Sequence, residues 1–204
     1  MDSKMPPYIL HLSKDKKLAR LIINQDIKIL TRSRQIHLHL CNSIMSQQLS
    51  TKVAAIIRKR FLKLYPCNPS PGQILETNIE TLRSIGLSRA KANYIRNVAQ
   101  FAIEHGMDYK LLGKMNNEEV IGHLIRIKGV GRWTAEMLLM FTLGREDVFA
   151  VDDLGIQQAM LHIYNLDGSN KKRLREDMLR ISLKWAPFRT YACLHLWHHK
   201  DKIR

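Results

Sequence analysis

The sequence predicts an all-α protein, and three observations support this prediction. Apolar residues recur at helical spacing along most of the chain, and no stretch shows the strict apolar–polar alternation of a half-buried strand. Serine, asparagine, glycine and proline stand where these stretches begin and end, as expected for helix caps and stops. The chain has 204 residues, of which 45% are hydrophobic, so it is long enough for a substantial core. We therefore expect helices packed on helices, in one large domain or two small lobes.

The first half of the chain is predicted to begin extended and then to form short helices. Pro6 and Pro7 predict an extended start up to about Ser13, which can cap a helix that ends near Asn24. The prolines and glycine between residues 66 and 72 predict a loop. The further helices expected in this half cover about 34–46, 51–64 and 79–85, followed by one that Ser88 caps and Gly106 ends.

The second half is predicted to be helical as well. Asn116 or Asn117 caps a helix that runs into Gly129-Val130-Gly131, and the helix after these glycines, about 133–143, is apolar enough to be buried. A short segment then leads to the acidic pair Asp152-Asp153. The remaining helices cover about 154–164, 171–185 and 189–199, with Pro187 between the last two.

The charge balance indicates a polyanionic partner. The chain has 33 Lys and Arg against 18 Asp and Glu, a formal net charge of +15. A surface this basic favours nucleic acid, whose phosphates bind Lys and Arg with an affinity that falls as salt rises. The N-terminus lacks the apolar core of a signal peptide, and no run of 18 apolar residues could span a membrane. We expect an intracellular protein with no membrane partner.

The cysteines exclude two classes of site. Cys41, Cys67 and Cys193 are odd in number and far apart, which fits neither a disulfide framework nor a metal site with closely spaced ligands. An iron–sulfur cluster needs four cysteine ligands, so we expect none. His195, His198 and His199 have helical ligand spacing, but no nearby acid or cysteine completes a metal site.

The segment Leu124–Leu138 predicts a helix, a tight hairpin and a second helix. Gly129 and Gly131 allow positive φ and a close approach to another molecule. The free N–H groups at the start of the second helix form an anion site, and Lys128 and Arg132 flank it. On this basic chain we expect the anion to be a nucleic-acid phosphate.

The pair Asp152-Asp153 places a carboxylate downstream of the hairpin, so the chain could do chemistry as well as bind. A fixed carboxylate stabilises the positive charge that develops on a sugar when a glycosidic bond breaks. Two acids before Leu154 could equally be a helix N-cap and its neighbour. The residue pattern alone leaves both roles open.

The hairpin residues match a known motif, and the match extends along the chain. The helix–hairpin–helix pattern is present at Ile127, Gly129, Val130, Gly131, Thr134 and Ala135. Four further blocks accompany it in order: 46–51, 86–91, 147–155, and 185–189 with Trp197. Over about residues 35–200 the chain resembles the DNA-3-methyladenine glycosylase II family of the helix–hairpin–helix (HhH-GPD) DNA glycosylase superfamily.

This resemblance implies a two-lobed helical fold with an active-site cleft between the lobes. The central lobe is expected to cover residues 35–145 and to contain the helix–hairpin–helix at about 116–143. The second lobe is expected to combine residues 1–34 with 146–204, and so to carry the catalytic Asp and the C-terminal helices.

The resemblance also implies an activity: hydrolysis of the N-glycosidic bond of alkylated purines of the 3-methyladenine type in double-stranded DNA. The base is flipped out of the helix and removed, which begins base-excision repair. Asp153 is implied as the catalytic carboxylate, with Asp152 as its rival. Strand-nicking relatives carry a lysine where this chain has Trp133. Because an indole cannot form a Schiff base, we expect a monofunctional enzyme that uses water.

The remaining site residues are also carried over from the family. Trp133, Trp197 and Met137 are expected to line the base pocket, where Met137 replaces an aromatic residue of some relatives. Gln48, with Leu49 as its rival, is expected to fill the gap left by the flipped base. The backbone from Gly129 to Thr134 is expected to hold phosphate.

No cofactor is expected beyond a structural Na⁺ or K⁺ on the backbone carbonyls of Ile125, Ile127 and Val130. We expect a monomer acting in the nucleoid of a bacterium or the nucleus of a eukaryote. Two alternatives stay open: a glycosylase of the same fold for a mismatched or oxidised base, and a non-catalytic helix–hairpin–helix DNA-binding protein.

Overall fold

The computed structural model describes residues 5–22, 27, 32–33 and 35–202, with side chains described up to residue 200. These residues form helices and connecting turns without a strand, so the all-α prediction is confirmed. The helices in chain order are α1 Pro7–Leu12, α2 Lys16–Ile22, α3 Ile36–Ser46, α4 Thr51–Leu62, α5 Pro71–Glu76, α6 Ile79–Ser84, α7 Arg89–His105, α8 Tyr109–Leu112, α9 Asn117–Leu124, α10 Arg132–Phe141, α11 Leu154–Tyr164, α12 Lys171–Ser182, a 3₁₀ turn Leu183–Trp185, and α13 Arg189–Lys202.

The chain divides into two compact units. The central unit is Arg32–Leu143, and the terminal unit combines Met1–Thr31 with Gly144–Arg204. In the central unit, α7 packs against α3, α5 and α6, while α3 also packs against α4 and α10. The face of α7 that carries Ile95, Val98 and Ala99 is fully buried. This apolar face explains why the longest helix of the unit lies at its centre.

The terminal unit is built around α13, which packs against α2 and α11. Trp185 is fully buried, and its Nε1 donates a hydrogen bond to Asp15 Oδ2 over 3.1 Å. The Tyr164 hydroxyl donates to the same oxygen over 2.8 Å. Three separated parts of the chain therefore meet at one half-buried carboxylate, and these hydrogen bonds offset the cost of partly removing it from water.

Two predicted boundaries near the start of the chain are wrong. Pro7 begins α1 instead of preventing a helix, because proline suits the first turn of a helix. Ser13 ends α1, and Asp15 instead accepts the N–H groups of Lys17 and Leu18 in α2. The helix end predicted near Asn24 lies outside the described residues.

The loop predicted between residues 66 and 72 continues directly into a helix. α5 begins at Pro71, and Ser70 and Gln73 form a reciprocal capping box at its start. Elsewhere the predicted caps agree with the structure: Ser88 caps α7, Gly106 ends it, and Asn116 is the cap of α9. In the described part of the chain, every helix is too short or too polar to cross a membrane.

Candidate nucleic-acid interface and catalytic site

Two buried apolar residues anchor the hairpin between α9 and α10 to the protein interior. Ile127 and Val130 are buried, and the Val130 N–H donates to the Ile127 carbonyl over 2.9 Å. These contacts fix the turn from the inside and leave residues 128, 131 and 132 exposed. The helix–hairpin–helix predicted at about 116–143 is therefore present as α9, the hairpin 125–131 and α10.

The two hairpin glycines have different physical roles. Gly129 has φ +105°, and a Cβ there would lie 2.3 Å from Cγ of Tyr94, which no side chain tolerates. Gly131 has φ −96° and ψ 172°, so the expected positive φ occurs only at Gly129. A Cβ on Gly131 would meet nothing within 4 Å. Gly129 is thus required by packing within the protein, whereas Gly131 leaves space for an external group.

Gly131 is the N-cap of α10, and no side chain caps this helix. The N–H groups at the start of a helix suit an anion. Thr134 also lies in the first turn, but its side chain is buried. A contact from Thr134 to phosphate is therefore restricted to its backbone.

Of the two basic residues that flank the hairpin, Arg132 is exposed but already paired with acidic side chains of the protein. Its Nε donates to Glu136 Oε1 over 3.0 Å, and its two terminal nitrogens donate to the Glu118 carboxylate. The bonds to Glu118 raise the pKa of Arg132 and lower that of Glu118. Lys128 is exposed, and its carbonyl accepts a hydrogen bond from Asn97 Nδ2 over 3.1 Å. Lys128 is therefore the better placed of the two to meet a phosphate.

A cavity of about 560 Å³ in the central unit brings Trp133 and Gln48 together. Trp133 is 42% exposed and lines this cavity. The lining residues are His39, Asn42, Ser43, Ser46, Gln47, Gln48, Arg58 and Trp133. Met137, one turn after Trp133, is half-buried and does not line this cavity.

The polar lining of this cavity from α3 is not anticipated from the sequence. His39, Asn42, Ser43 and Ser46 are spaced three or four residues apart and so share one face of α3. The opposite face carries the buried residues Leu40, Ile44 and Met45 among others. The polar stripe on this otherwise apolar helix is the feature of the sequence that could have predicted the cavity lining.

The predicted hinge between α3 and α4 is a tight turn over Ser46–Leu49. Gln48 has φ +60°, and both Gln48 and Leu49 are exposed. Lys91 on α7 supports this turn, because its Nζ donates to the carbonyls of Met45 over 3.0 Å and of Gln47 over 2.6 Å. Lys91 belongs to the 86–91 sequence block, but no role for it is apparent from sequence alone.

Asp153 is the N-cap of α11, and two hydrogen bonds to its Oδ1 hold the side chain in place. Oδ1 accepts the Ile156 N–H over 2.9 Å and the Trp197 indole N–H over 2.8 Å. Asp152 points elsewhere: it is exposed and pairs with Arg175 over 3.3 Å. The N-cap role considered for Asp153 is thus present, and it holds the carboxylate in one orientation.

Gly155 makes room for this arrangement. A Cβ on Gly155 would lie 3.1 Å from Asp153 Oδ1 and 3.1 Å from Cδ1 of Trp197. The close approach explains the glycine in the Asp-Asp-Leu-Gly block without invoking positive φ. Trp197 is predicted to line the base pocket, and the structure shows that its indole donates a hydrogen bond to Asp153.

The segment that carries the Asp pair is anchored to the start of α13. Arg189 forms two parallel bonds to Asp147, Nε to Oδ1 over 2.6 Å and Nη2 to Oδ2 over 2.8 Å. The Thr190 hydroxyl donates to the Arg145 carbonyl over 2.7 Å and accepts the Val148 N–H over 3.0 Å. The sequence blocks 147–155 and 185–189 are therefore parts of one structural unit.

The histidines of α13 do not converge on a metal site. His195 is buried, and burial followed by the nearby His198 lowers its pKa to about 4. His199 Nε2 lies 3.4 Å from His162 Nδ1. Across the described ranges, no three His, Cys, Asp or Glu side chains are grouped so that they could hold a metal ion.

Comparison with known proteins places this geometry in a family. Residues 41–183 match the model of the HhH-GPD superfamily base excision DNA repair protein. The chain is 34% identical over 185 residues to DNA-3-methyladenine glycosylase 1 of Schizosaccharomyces pombe, covering 89% of this chain and 80% of that one. It is 33% identical over 161 residues to the putative DNA-3-methyladenine glycosylase YfjP of Bacillus subtilis, covering 76% of this chain and 55% of that one. The chain thus spans about half the length of the Bacillus relative.

A solved structure agrees over the whole fold. The S. pombe 3-methyladenine DNA glycosylase Mag1, in complex with abasic DNA, superposes with a TM-score of 0.82 at 31% identity, covering 96% of this chain and 97% of that one. The family match covers both the hairpin and the Asp pair, and the resemblance inferred from their sequence is confirmed. The chain belongs to the HhH-GPD superfamily of base excision DNA repair proteins.

Proposed function

We propose that this protein is a monofunctional DNA glycosylase that hydrolyses the N-glycosidic bond of alkylated purines, of the 3-methyladenine type, in double-stranded DNA. The observation that carries the proposal is the Asp153 carboxylate, oriented by the Trp197 indole at the head of α11 in a chain of this superfamily. The names of its relatives, and the abasic DNA bound to Mag1, support the same substrate class.

The proposed chemistry follows from the charge that the reaction creates. Breaking the base–sugar bond leaves positive charge on the sugar, and a carboxylate held in place stabilises it without reorganising. Water then attacks the sugar carbon, giving a free base and an abasic site. Asp153 has the fixed orientation that this task requires, whereas Asp152 lies at the surface beside Arg175.

Trp133 supports hydrolysis over strand nicking. A lyase needs an amine at this position to form a Schiff base, and indole has no such nucleophile. An indole surface instead favours a base that alkylation has made cationic, since a positive ring stacks well on it. We propose that Trp133, Trp197 and Met137 contact the flipped base, with Trp197 also orienting Asp153.

Binding to duplex DNA is proposed at two places in the central unit. Backbone N–H groups from Gly131 to Thr134, with Lys128, would hold phosphate beside the lesion. Gln48, with Leu49 as the rival, would occupy the gap left in the base stack. Arg132 would stabilise the hairpin through Glu118 and Glu136 and add to the positive potential.

A monovalent cation at the hairpin is also proposed. Carbonyl oxygens suit Na⁺ or K⁺, and the turn after α9 presents carbonyls at the negative end of that helix. Ile125, Ile127 and Val130 would supply them, and Ile127 would share its oxygen with the Val130 N–H. A cation bound by these carbonyls would add positive charge beside the proposed phosphate site. We further propose that the protein acts as a monomer, in whichever compartment holds the genome.

The test is release of free base from a duplex that contains methylated purines, measured chromatographically together with the integrity of the DNA strand. We expect free alkylated base, abasic DNA and no strand break until the abasic site is cleaved by alkali. Release from a mismatched or oxidised duplex alone would favour the other-lesion alternative. DNA binding without any base release would mean that the protein is a non-catalytic DNA-binding module.

A further inference from the structure

The turn that carries Gln48 has an unfavourable backbone conformation. Gln47 has φ −52° and ψ 130°, Gln48 has φ +60°, and the Leu49 N–H donates to the Ser46 carbonyl over 3.2 Å. These features are those of a type II β-turn, whose third residue is normally Gly or Asn. A glutamine in this position persists only where neighbouring groups hold the turn. The side chain at position 48 is therefore retained at a conformational cost.

Lys91 is the group that holds the turn from the α7 side. Its Nζ donates to the carbonyls of Met45 and Gln47, one on either side of Ser46. Carbonyls at the C-terminal end of a helix lack partners within the helix, and a cation there also complements the helix dipole. Lys91 is half-buried, and burial lowers its pKa. An ammonium in this setting is committed to the protein and does not project into solvent.

The same face of α7 also supports the hairpin. Lys91, Tyr94 and Asn97 are three residues apart and lie along one side of the helix. Tyr94 packs beneath Gly129, and Asn97 Nδ2 donates to the Lys128 carbonyl over 3.1 Å. The two elements proposed to contact DNA therefore have a common support.

The turn and the hairpin also touch directly. Gln47, the residue that precedes the strained Gln48, donates from its Nε2 to the Gly129 carbonyl over 3.4 Å. A shift of the turn would thus break contacts to α7 and to the hairpin together.

We infer that Lys91 is a positioning residue that holds the Ser46–Leu49 turn so that Gln48 can enter the DNA helix beside the hairpin. This inference rests on the proposed function. Lys91 acts through Gln48, and its Nζ is bonded to two carbonyls of the turn instead of to phosphate. Its loss should therefore affect the lesion-bound state more than general attraction to DNA.

The test uses the full chain and a duplex that contains a stable tetrahydrofuran abasic analogue beside a fluorescent adenine analogue. Affinity for this duplex and for the undamaged duplex is measured for wild type, Lys91→Met, Gln48→Ala and the double variant. Fluorescence of the adenine analogue reports whether the stack is opened. Lys114→Met on an exposed lysine of the same unit is the control for the loss of one positive charge.

Lys91→Met should weaken binding to the abasic analogue about 10-fold, the usual size of a loss of charged hydrogen bonds, and reduce the fluorescence signal. Binding to undamaged duplex should change less than about 3-fold, as should both affinities of Lys114→Met. Lys91→Met should have no further effect once Gln48 is Ala, because two residues that act as a unit are not additive. Lys91→Gln, which is neutral and shorter, gives the same comparisons if Lys91→Met does not fold.

Four results would overturn the inference: unchanged binding by Lys91→Met, equal losses for both duplexes, additive effects in the double variant, or an unchanged preference in Gln48→Ala. Additive effects would mean that Lys91 acts independently of Gln48. Failure of the proposed function looks different, because wild type would then neither prefer the abasic analogue nor release base. If wild type prefers the abasic analogue and releases base, and Lys91→Met behaves like wild type, only the role of Lys91 is wrong.

Discussion

At the residue scale, Asp153 combines an observed role in folding with the chemical role proposed for it. Its Oδ1 caps α11 and receives the Trp197 N–H, so the helix start and the aromatic ring orient the same carboxylate. Gly155 leaves room for both partners, because a Cβ there would crowd them at 3.1 Å. The Asp pair could be recognised in the sequence, but the donor that orients Asp153 could not, since Trp197 lies 44 residues further along the chain.

Trp197→Phe should lower kcat for base release while binding is retained. Phenylalanine keeps the apolar ring but removes the N–H that fixes Asp153, and a misplaced catalytic group typically costs about 10- to 100-fold. KM for a lesion-bearing duplex should stay within about 3-fold. The measurement is steady-state base release with a defined oligonucleotide.

Trp185→Phe is the matched control for this substitution. It removes a similar indole-to-carboxylate bond, to Asp15, in the same unit. Its melting temperature should fall because Trp185 is fully buried, and its kcat should match that of wild type. Full activity in Trp197→Phe would show that the bond to Asp153 does not orient the carboxylate for catalysis.

At the scale of elements, the hairpin and the helix starts could be predicted from local chemistry. Ser88, Gly106 and Asn116 act at the ends of helices as their types suggest. Pro7 and Pro71 misled the prediction because proline both breaks a helix and begins one. The support of the Gln48 turn by Lys91 could not be predicted, since the contact joins residues more than 40 positions apart.

Alanine substitutions at the two hairpin glycines should affect different properties, stability at Gly129 and DNA binding at Gly131. Gly129→Ala should destabilise the protein by at least about 2 kcal/mol, because its Cβ would overlap Tyr94 at positive φ. Gly131→Ala should cost no more than about 1 kcal/mol, since its φ is ordinary and its surroundings are open. Thermal unfolding measures both effects.

Gly131→Ala, which should fold nearly as well as wild type, should nevertheless bind DNA more weakly. A methyl group on Gly131 occupies the space left for an external group, so Gly131→Ala should bind lesion-bearing duplex several-fold more weakly than wild type. Unchanged affinity in Gly131→Ala would argue against the start of α10 as the phosphate site. An unaltered melting temperature in Gly129→Ala would argue against the packing role of that glycine.

At the scale of the whole molecule, a basic helical chain combines a hairpin that we propose binds duplex DNA with an oriented carboxylate. The charge of +15 supports association with DNA of any sequence and is not specific for a lesion. Specificity has to come from the small set of groups that meet a flipped base and its sugar. The proposed activity therefore depends on whether Asp153 performs the chemical step.

The most direct measurement compares single-turnover base release by wild type, Asp153→Asn and Asp152→Asn on one methylated duplex. Asparagine caps a helix as well as aspartate does, so Asp153→Asn should fold and bind abasic DNA normally. We expect its release rate to fall at least about 100-fold, because the stabilising negative charge is lost, while Asp152→Asn stays within about 3-fold of wild type. Undiminished release by Asp153→Asn, or a loss confined to Asp152→Asn, would contradict the assignment of the catalytic carboxylate.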